Sequence, residues 1–318
     1  MPRYRLTIAY DGTAFCGWQK QEPPAAERPM DSAGRAARAY SARTPLMDTA
    51  REGRVALRTV QGVVEAAVRH VVRQPVEVLG ASRTDSGVHA RGQVAAFTCG
   101  GDEPAVQEGD ETATEGGGWP LARGADRLVA AINARLPEDV LVLRAEATEA
   151  GFDPVGHALR KAYTYTFHVA RDRPLWDRHY VHHVWAPSGL DAQAMREAAR
   201  TLVGEHDFAA FAAAGHGRLS TVRTVFACGV EEVPPGGCRG GAARRIVVRI
   251  EGSGFLWNMV RIIAGTLMQV GLGQRSAAEI RAVLAGRDRG RAGPTLGPEG
   301  LCLEWVHYGP GELPGASG

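Results

Sequence analysis

Three stretches of the chain bring together residue types that can do chemistry. The first is Gly80-Ala81-Ser82-Arg83-Thr84-Asp85-Ser86-Gly87-Val88-His89. It lies between two strand-like runs, too polar for core and too long for a minimal hairpin. An arginine close to an aspartate keeps the carboxylate ionised, and an ionised carboxylate can serve as nucleophile or general base. An Asx-turn with an exposed ion pair has the same composition.

The second stretch is Arg160-Lys161-Ala162-Tyr163-Thr164-Tyr165. At strand spacing Lys161, Tyr163 and Tyr165 share one face, and aromatic faces flanked by cations stack unpaired bases while holding phosphate. A half-buried strand is the plainer reading. The third is Gly252-Ser253-Gly254-Phe255-Leu256-Trp257-Asn258-Met259-Val260-Arg261-Ile262-Ile263-Ala264-Gly265. Its apolar positions recur at helical spacing through Met268, which marks core packing. Arg261 breaks the pattern, and an arginine buried there needs an anionic partner, for which Asp85 is suited.

Other chemistries find little support. His179, His182 and His183 include an H-x-x-H without a carboxylate at useful helical spacing, and the five cysteines form no C-x-x-C. A phosphate-binding loop, a nucleophile elbow, a complete dinucleotide fingerprint and a zinc-deaminase signature are all missing. No metal and no cofactor are expected.

The elements that must position these residues read as two similar halves. In the first, strands are predicted at Tyr4–Tyr10, Val76–Ala81, Val94–Thr98 and Val140–Glu146, with helices at Val60–Val72 and Ala125–Arg135. In the second, strands fall at Lys161–Ala170, Thr221–Val233, Arg245–Glu251 and Gly300–Tyr308, with helices at Ala192–Leu202 and Phe255–Val270. Each half is β-α-β-β-α-β, the split βαβ arrangement. Alternation such as Arg3-Tyr4-Arg5-Leu6-Thr7-Ile8 suits mainly antiparallel sheet with one covered face. The expected class is α+β, with halves 1–150 and 151–318 flanking a central cleft. Segments 22–58 (with a short helix conceivable over Ser32–Ala42) and 100–124 read as insertions.

With 318 residues, 44% hydrophobic and 23% charged, the chain is long enough for two modest domains. No run of about 20 apolar residues is present, so no membrane span is expected. The opening residues lack a signal segment and the cysteines no disulfide framework, which suits the cytoplasm. The net charge is +2, and of 37 basic residues only Lys20 and Lys161 are lysines. Asp102, Glu103, Glu108, Asp110, Glu111 and Glu115 lie in one stretch without a cation; leaving them aside, the rest carries about +8. A phosphate-bearing partner fits that balance.

Several motifs together resemble the tRNA pseudouridine synthase A family. They are Leu6-Thr7-Ile8-Ala9-Tyr10-Asp11-Gly12-Thr13-Ala14-Phe15-Cys16-Gly17-Trp18-Gln19, Thr59-Val60-Gln61-Gly62 and Arg83-Thr84-Asp85-Ser86-Gly87-Val88-His89-Ala90. Gly204-Glu205-His206-Asp207-Phe208, Asn258-Met259-Val260-Arg261, Gly293-Pro294-Thr295 and Gly300-Leu301-Cys302-Leu303 follow in order. The resemblance implies cofactor-free isomerisation of uridine in the anticodon stem-loop of tRNA, at positions 38, 39 or 40, by a homodimer. Asp85 would be the catalytic aspartate and Arg83 would help displace the target base. Tyr163 would stack on uracil and Arg261 would pair with Asp85. Arg160, Lys161 and Leu256 would contact the substrate. The family's Phe-x-Ala-Arg-Phe-x-Ala is replaced by Phe152-Asp153-Pro154-Val155-Gly156-His157-Ala158, without the arginine and second aromatic. Rival readings are a synthase for another RNA and a non-catalytic RNA-binding protein of the same fold.

Overall fold

The first strand, β1 (Arg3–Tyr10), alternates strictly between half-exposed and buried residues, placing Tyr4, Leu6, Ile8 and Tyr10 on the core side. It opens a computed structural model that describes residues 1–24, 54–100, 117–186, 189–213, 219–234 and 243–309. The conceivable helix over Ser32–Ala42 and the acidic stretch lie outside the described residues. The chain divides into two compact units, Met1–Ala158 and Leu159–Gly318.

In the first unit, α1 (Val60–Val72) starts at Thr59, which has an extended backbone and whose side-chain oxygen accepts the Gly62 N–H. β2 (Leu79–Gly80) and β3 (His89–Thr98) form an antiparallel hairpin, followed by α2 (Ala125–Asn133) and β4 (Val140–Thr148). β1 lies between β4 and β3, antiparallel to both, so the order is β4-β1-β3-β2. The strand expected over Val76–Ala81 shrinks to two residues for a local reason. Gln61 of α1 donates to the Val78 carbonyl at 2.9 Å, and Glu65 accepts the Val78 N–H at 3.1 Å, so helix side chains take the groups a longer ladder would use. The Glu65 carboxylate, itself buried, is balanced by Lys20 and Arg69.

Both expected insertions are narrower than their sequence suggests. Arg58 forks onto Asp139 at 2.8 and 2.9 Å and lies over the Phe15 ring, while Leu57 is buried. At the second, Gly118 donates to the Val72 carbonyl and Trp119 to that of Gly100. Trp119 itself is buried.

The second unit repeats the order. It contains β5 (Arg160–Val169), the short β6 (His182–Val184), α3 (Ala192–Arg200), β7 (Gly204–Asp207), β8 (Val222–Val233) and β9 (Arg244–Gly252). Then come α4 (Met259–Gly271), α5 (Ala277–Gly286) and β10 (Leu301–His307). The order β10-β5-β9-β8 matches that of the first unit, with β7 added at the edge and β6 parallel on β5. The architecture is α+β with mixed, mainly antiparallel pairing. Helix α3 packs on β8, and α4 on α3 and β5. The helix expected from Phe255 starts only at Met259, because Asn258 takes a left-handed conformation (φ 60°).

Candidate active site

The Asp85 stretch is the connection of the β2–β3 hairpin, and its backbone is tied on several sides. Gln93, buried in β3, donates to the Ser82 carbonyl at 2.6 Å and accepts the Ser82 N–H at 3.2 Å. Thr84 meets the Tyr10 hydroxyl at 2.8 Å, and its carbonyl accepts the Trp18 N–H at 3.0 Å. The Phe15 carbonyl accepts from the Gly87 N–H and the Ser86 hydroxyl. His89, buried where β3 begins, accepts the Gly12 N–H at 3.1 Å and faces the Asp11 carboxylate at 3.2 Å.

This embrace requires glycine on the β1 side. Gly17 has φ +86°, and a Cβ there would lie 2.6 Å from the Thr84 carbonyl oxygen. The turn after β1 and the Asp85 loop are thus packed backbone to backbone. Within the loop Arg83 and Ser86 are exposed and Asp85 is half-buried.

In the second unit Tyr163 and Tyr165 share a face of β5 with Lys161, and both tyrosines are buried. Tyr163 lies between Leu303 and Ile250 in register and is 6% exposed, its ring meeting the edge of Phe255 at 5.2 Å. Tyr165 is fully buried, donating its hydroxyl to the Gly297 carbonyl at 2.8 Å. Burial and then the nearby Glu299 charge push that hydroxyl's pKa up. Lys161 is half-buried, Leu256 buried, and the Arg160 guanidinium stands 4.4 Å over the Phe226 ring.

Arg261 sits in the first turn of α4. Its Nε donates to the Leu296 carbonyl and its Nη1 to Asn258 Oδ1, both at 2.7 Å. Glu299 lies in the same electrostatic neighbourhood. Burial pushes its carboxyl up, but the His182 hydrogen bond at 2.7 Å, a backbone N–H and the charges of His182 and Arg261 bring it below its ordinary value.

The sequence-predicted residues are therefore gathered in two places. Arg83 and Asp85 lie on one hairpin; Arg160, Lys161 and Tyr163 are on β5, with Leu256 just before α4 and Arg261 in its first turn. Gln93 and Tyr10, which hold the hairpin loop, and Asn258, which accepts from Arg261, carry no such signal in the sequence, and neither does the Glu299–His182 pair. His182 supplies the carboxylate contact that the H-x-x-H lacked, through a partner 117 residues away. His183 bonds to the Ala170 carbonyl instead. Cys228, whose thiol burial pushes up to about 12, is no nucleophile. Among the described residues no helix is long and apolar enough to cross a membrane.

The departure at Val155 and Gly156 is closed locally. Asp153 accepts the Val155 N–H at 2.8 Å, and the Val155 and Gly156 N–H groups hold its carboxyl below the usual range. Val155 itself is exposed.

Residues 198–309 match the family model described as tRNA pseudouridine synthase. Over 308 residues the chain is 32% identical to tRNA pseudouridine synthase A 2 of Clostridium perfringens (strain 13 / Type A), spanning 97% of this chain and 100% of that one. It is 34% identical over 308 residues to tRNA pseudouridine synthase A of Bacillus subtilis (strain 168), spanning 96% and 99%. For the protein of that name from Pseudothermotoga lettingae the identity is 33%, spanning 97% and 100%.

Proposed function

The chain belongs to the tRNA pseudouridine synthase A family, isomerases that convert uridine to pseudouridine in tRNA, and we propose that Asp85 is the group that opens the glycosidic bond. The observation that carries this reading is the hairpin loop itself: its backbone is fixed from the β1 turn and from Gln93, while the Asp85 side chain is left half-buried. Fixing the peptide of a reacting carboxylate is what positioning catalysis requires.

Two routes are open to that carboxylate. It attacks the ribose C1′, or it removes the 2′ proton to give a glycal. In either, the C1′–N1 bond breaks and uracil departs as an anion and turns. C5 then bonds to C1′, displacing the carboxylate in the first route or adding to the glycal as the proton returns to C2′ in the second; the C5 proton is lost and N1 gains one. Arg261 stabilises developing negative charge, which a fixed guanidinium in a water-poor site does strongly. Tyr163 stacks on the uracil and assists proton loss, Arg83 takes the place of the displaced base, and Arg160, Lys161 and Leu256 contact the RNA. The target lies in the anticodon stem-loop, at positions 38, 39 or 40. The protein acts in the cytoplasm as a homodimer. Extracting a stacked base costs a few kcal/mol, which phosphate contacts offset.

Asp85→Asn removes the nucleophile and base at nearly constant shape. It should abolish tritium release from tRNA labelled at uridine C5 while tRNA affinity stays near wild type. Substantial release by the variant would refute the assignment.

A further inference from the structure

We propose that Asn258 is a positioning residue for Arg261: it gives up its role as a helix cap to aim the guanidinium. The inference rests on the reading above that Arg261 acts in the reaction.

Asparagine is among the best N-cap residues, because its side-chain oxygen accepts an N–H from the first turn. Two other helices use their caps in that way. Thr59 before α1 has an extended backbone and accepts the Gly62 N–H; Asp191 before α3 is likewise extended and accepts the Gln193 and Ala194 N–H groups. Asn258 before α4 does neither. Its backbone is left-handed, at φ 60° and ψ 6°, and its side chain makes no capping bond. Among the described residues the other non-glycine residues with positive φ are Arg73 and Arg287, at helix C-termini, where that conformation is routine. At an N-terminus it is not, and left-handed backbone in a non-glycine residue tends to mark a functional site.

What the strain achieves is visible in the bonds. The Asn258 carboxamide oxygen accepts Arg261 Nη1 at 2.7 Å, one helical turn away, while the Leu296 carbonyl accepts Nε at 2.7 Å. Two of the three guanidinium nitrogens are thereby held by different segments, so the plane of the fork is set. A guanidinium on a long side chain is otherwise free to rotate, and a cation that must meet developing charge without reorganising is worth more when fixed beforehand.

A merely structural Asn258 would couple activity to stability, and substitutions separate the two. Asn258→Gly and Asn258→Ala both delete the carboxamide, but only alanine carries the left-handed strain. The glycine variant should therefore melt above the alanine variant. Both should lose the same single-turnover rate, on the order of ten-fold, as for one charge-assisted hydrogen bond. Affinity for tRNA should stay within about two-fold of wild type. In an Arg261→Met background, with Arg261→Lys as a second background should the first fold poorly, Asn258→Gly should change the rate no further.

Additive rate losses would overturn the proposal, as would a loss of affinity with an unchanged rate, or rates that follow the melting temperatures. If Arg261→Met and Arg261→Lys themselves kept the wild-type rate, the role of Arg261 would fall first and this inference with it. That outcome is distinct from a rate that depends on Arg261 but ignores Asn258.

Discussion

Replacing Gly17 by alanine tests whether the β1 turn holds the Asp85 loop in its working position. Two costs follow from the structure. A side chain at φ +86° sits in the left-handed region, which costs about 1–2 kcal/mol. The new Cβ would also lie 2.6 Å from the Thr84 carbonyl oxygen, 3.2 Å from the Asp85 carbonyl carbon and 3.3 Å from the Ser86 nitrogen. All three are backbone atoms, so no rotamer can give way. Relaxing the closest approach to an ordinary separation moves the loop by roughly 0.8 Å, with an overpacking cost of ~1–3 kcal/mol. The total, about 2–5 kcal/mol, is a large part of a typical domain's stability but not all of it. Gly273 supplies the control, having φ +72° and nothing within 4 Å of an added Cβ. Gly273→Ala carries the strain alone. Urea unfolding should place Gly17→Ala below Gly273→Ala. Single-turnover pseudouridine formation, assayed where both variants remain folded, should fall about 10–100-fold in Gly17→Ala, since displacements near 1 Å carry that penalty. It should stay near wild type in Gly273→Ala. Equal rates in the two folded variants would refute the idea that this contact positions Asp85.

Gln93→Leu keeps the volume but leaves both Ser82 groups without their partner; the unfolding free energy should fall by about 2–4 kcal/mol with a slower reaction, and a change under ~0.5 kcal/mol by urea titration would dismiss the tether. Asp207 has a carboxyl held below its ordinary range, first by the Thr221 hydroxyl at 2.5 Å, against burial, then by the Ala209 N–H and Arg287. A carboxyl depressed by folding stabilises above its unfolded pKa near ~4 and loses that contribution as pH falls through the folded value. Asp207→Asn should therefore flatten the decline in stability below about pH 4 in urea titrations, and an unchanged slope would count against it. Deleting residues 102–115 removes six carboxylates and takes the formal charge from +2 to +8. The flanks are already joined, as Trp119 donates to the Gly100 carbonyl, so a short connector suffices. Affinity for tRNA should rise more at low salt than at high, with the saturated rate unchanged; a lost rate in a folded variant would place the segment in the chemistry.

The parts of the fold that were legible are those where neighbouring residues carry the signal. β1 announces itself by two-residue alternation, and α1 by Thr59 ahead of an apolar run. The repeated β4-β1-β3-β2 and β10-β5-β9-β8 orders follow once the elements are found. The misreadings have physical causes. Val76–Val78 has strand composition, but Gln61 and Glu65 claim the Val78 backbone, a competition no local window displays. Phe255–Asn258 continues the helical pattern of α4, yet Asn258 turns left-handed to reach Arg261. Helix α5 is absent from the sequence expectation although the capping box of Ser276 with Glu279 is a local signature of its start, because its apolar face is short. Of the candidate site, the hairpin loop and Arg261 were visible because charged residues interrupt structured runs. Glu299 and His182 were not, since a pair 117 residues apart has no local spacing to betray it.

The two segments that carry Asp85 and Arg261 handle backbone strain differently, and the difference follows from what each must hold. A carboxylate on a short side chain inherits its position from its own peptide, so the hairpin loop is clamped by main-chain contacts that leave Gly17 no room for a Cβ. A guanidinium stands several bonds from its peptide, and fixing helix α4 would not fix it; it needs hydrogen bonds at the fork itself. Those come from Asn258 and the Leu296 carbonyl, and the cost appears as positive φ at a non-glycine residue rather than as a glycine. Glycine at 258 would relax the backbone but remove the acceptor, just as alanine at 17 would add a side chain and displace the loop. At 258 the conformationally easiest residue would leave the guanidinium without its acceptor, whereas at 17 it is the residue that keeps the loop in place.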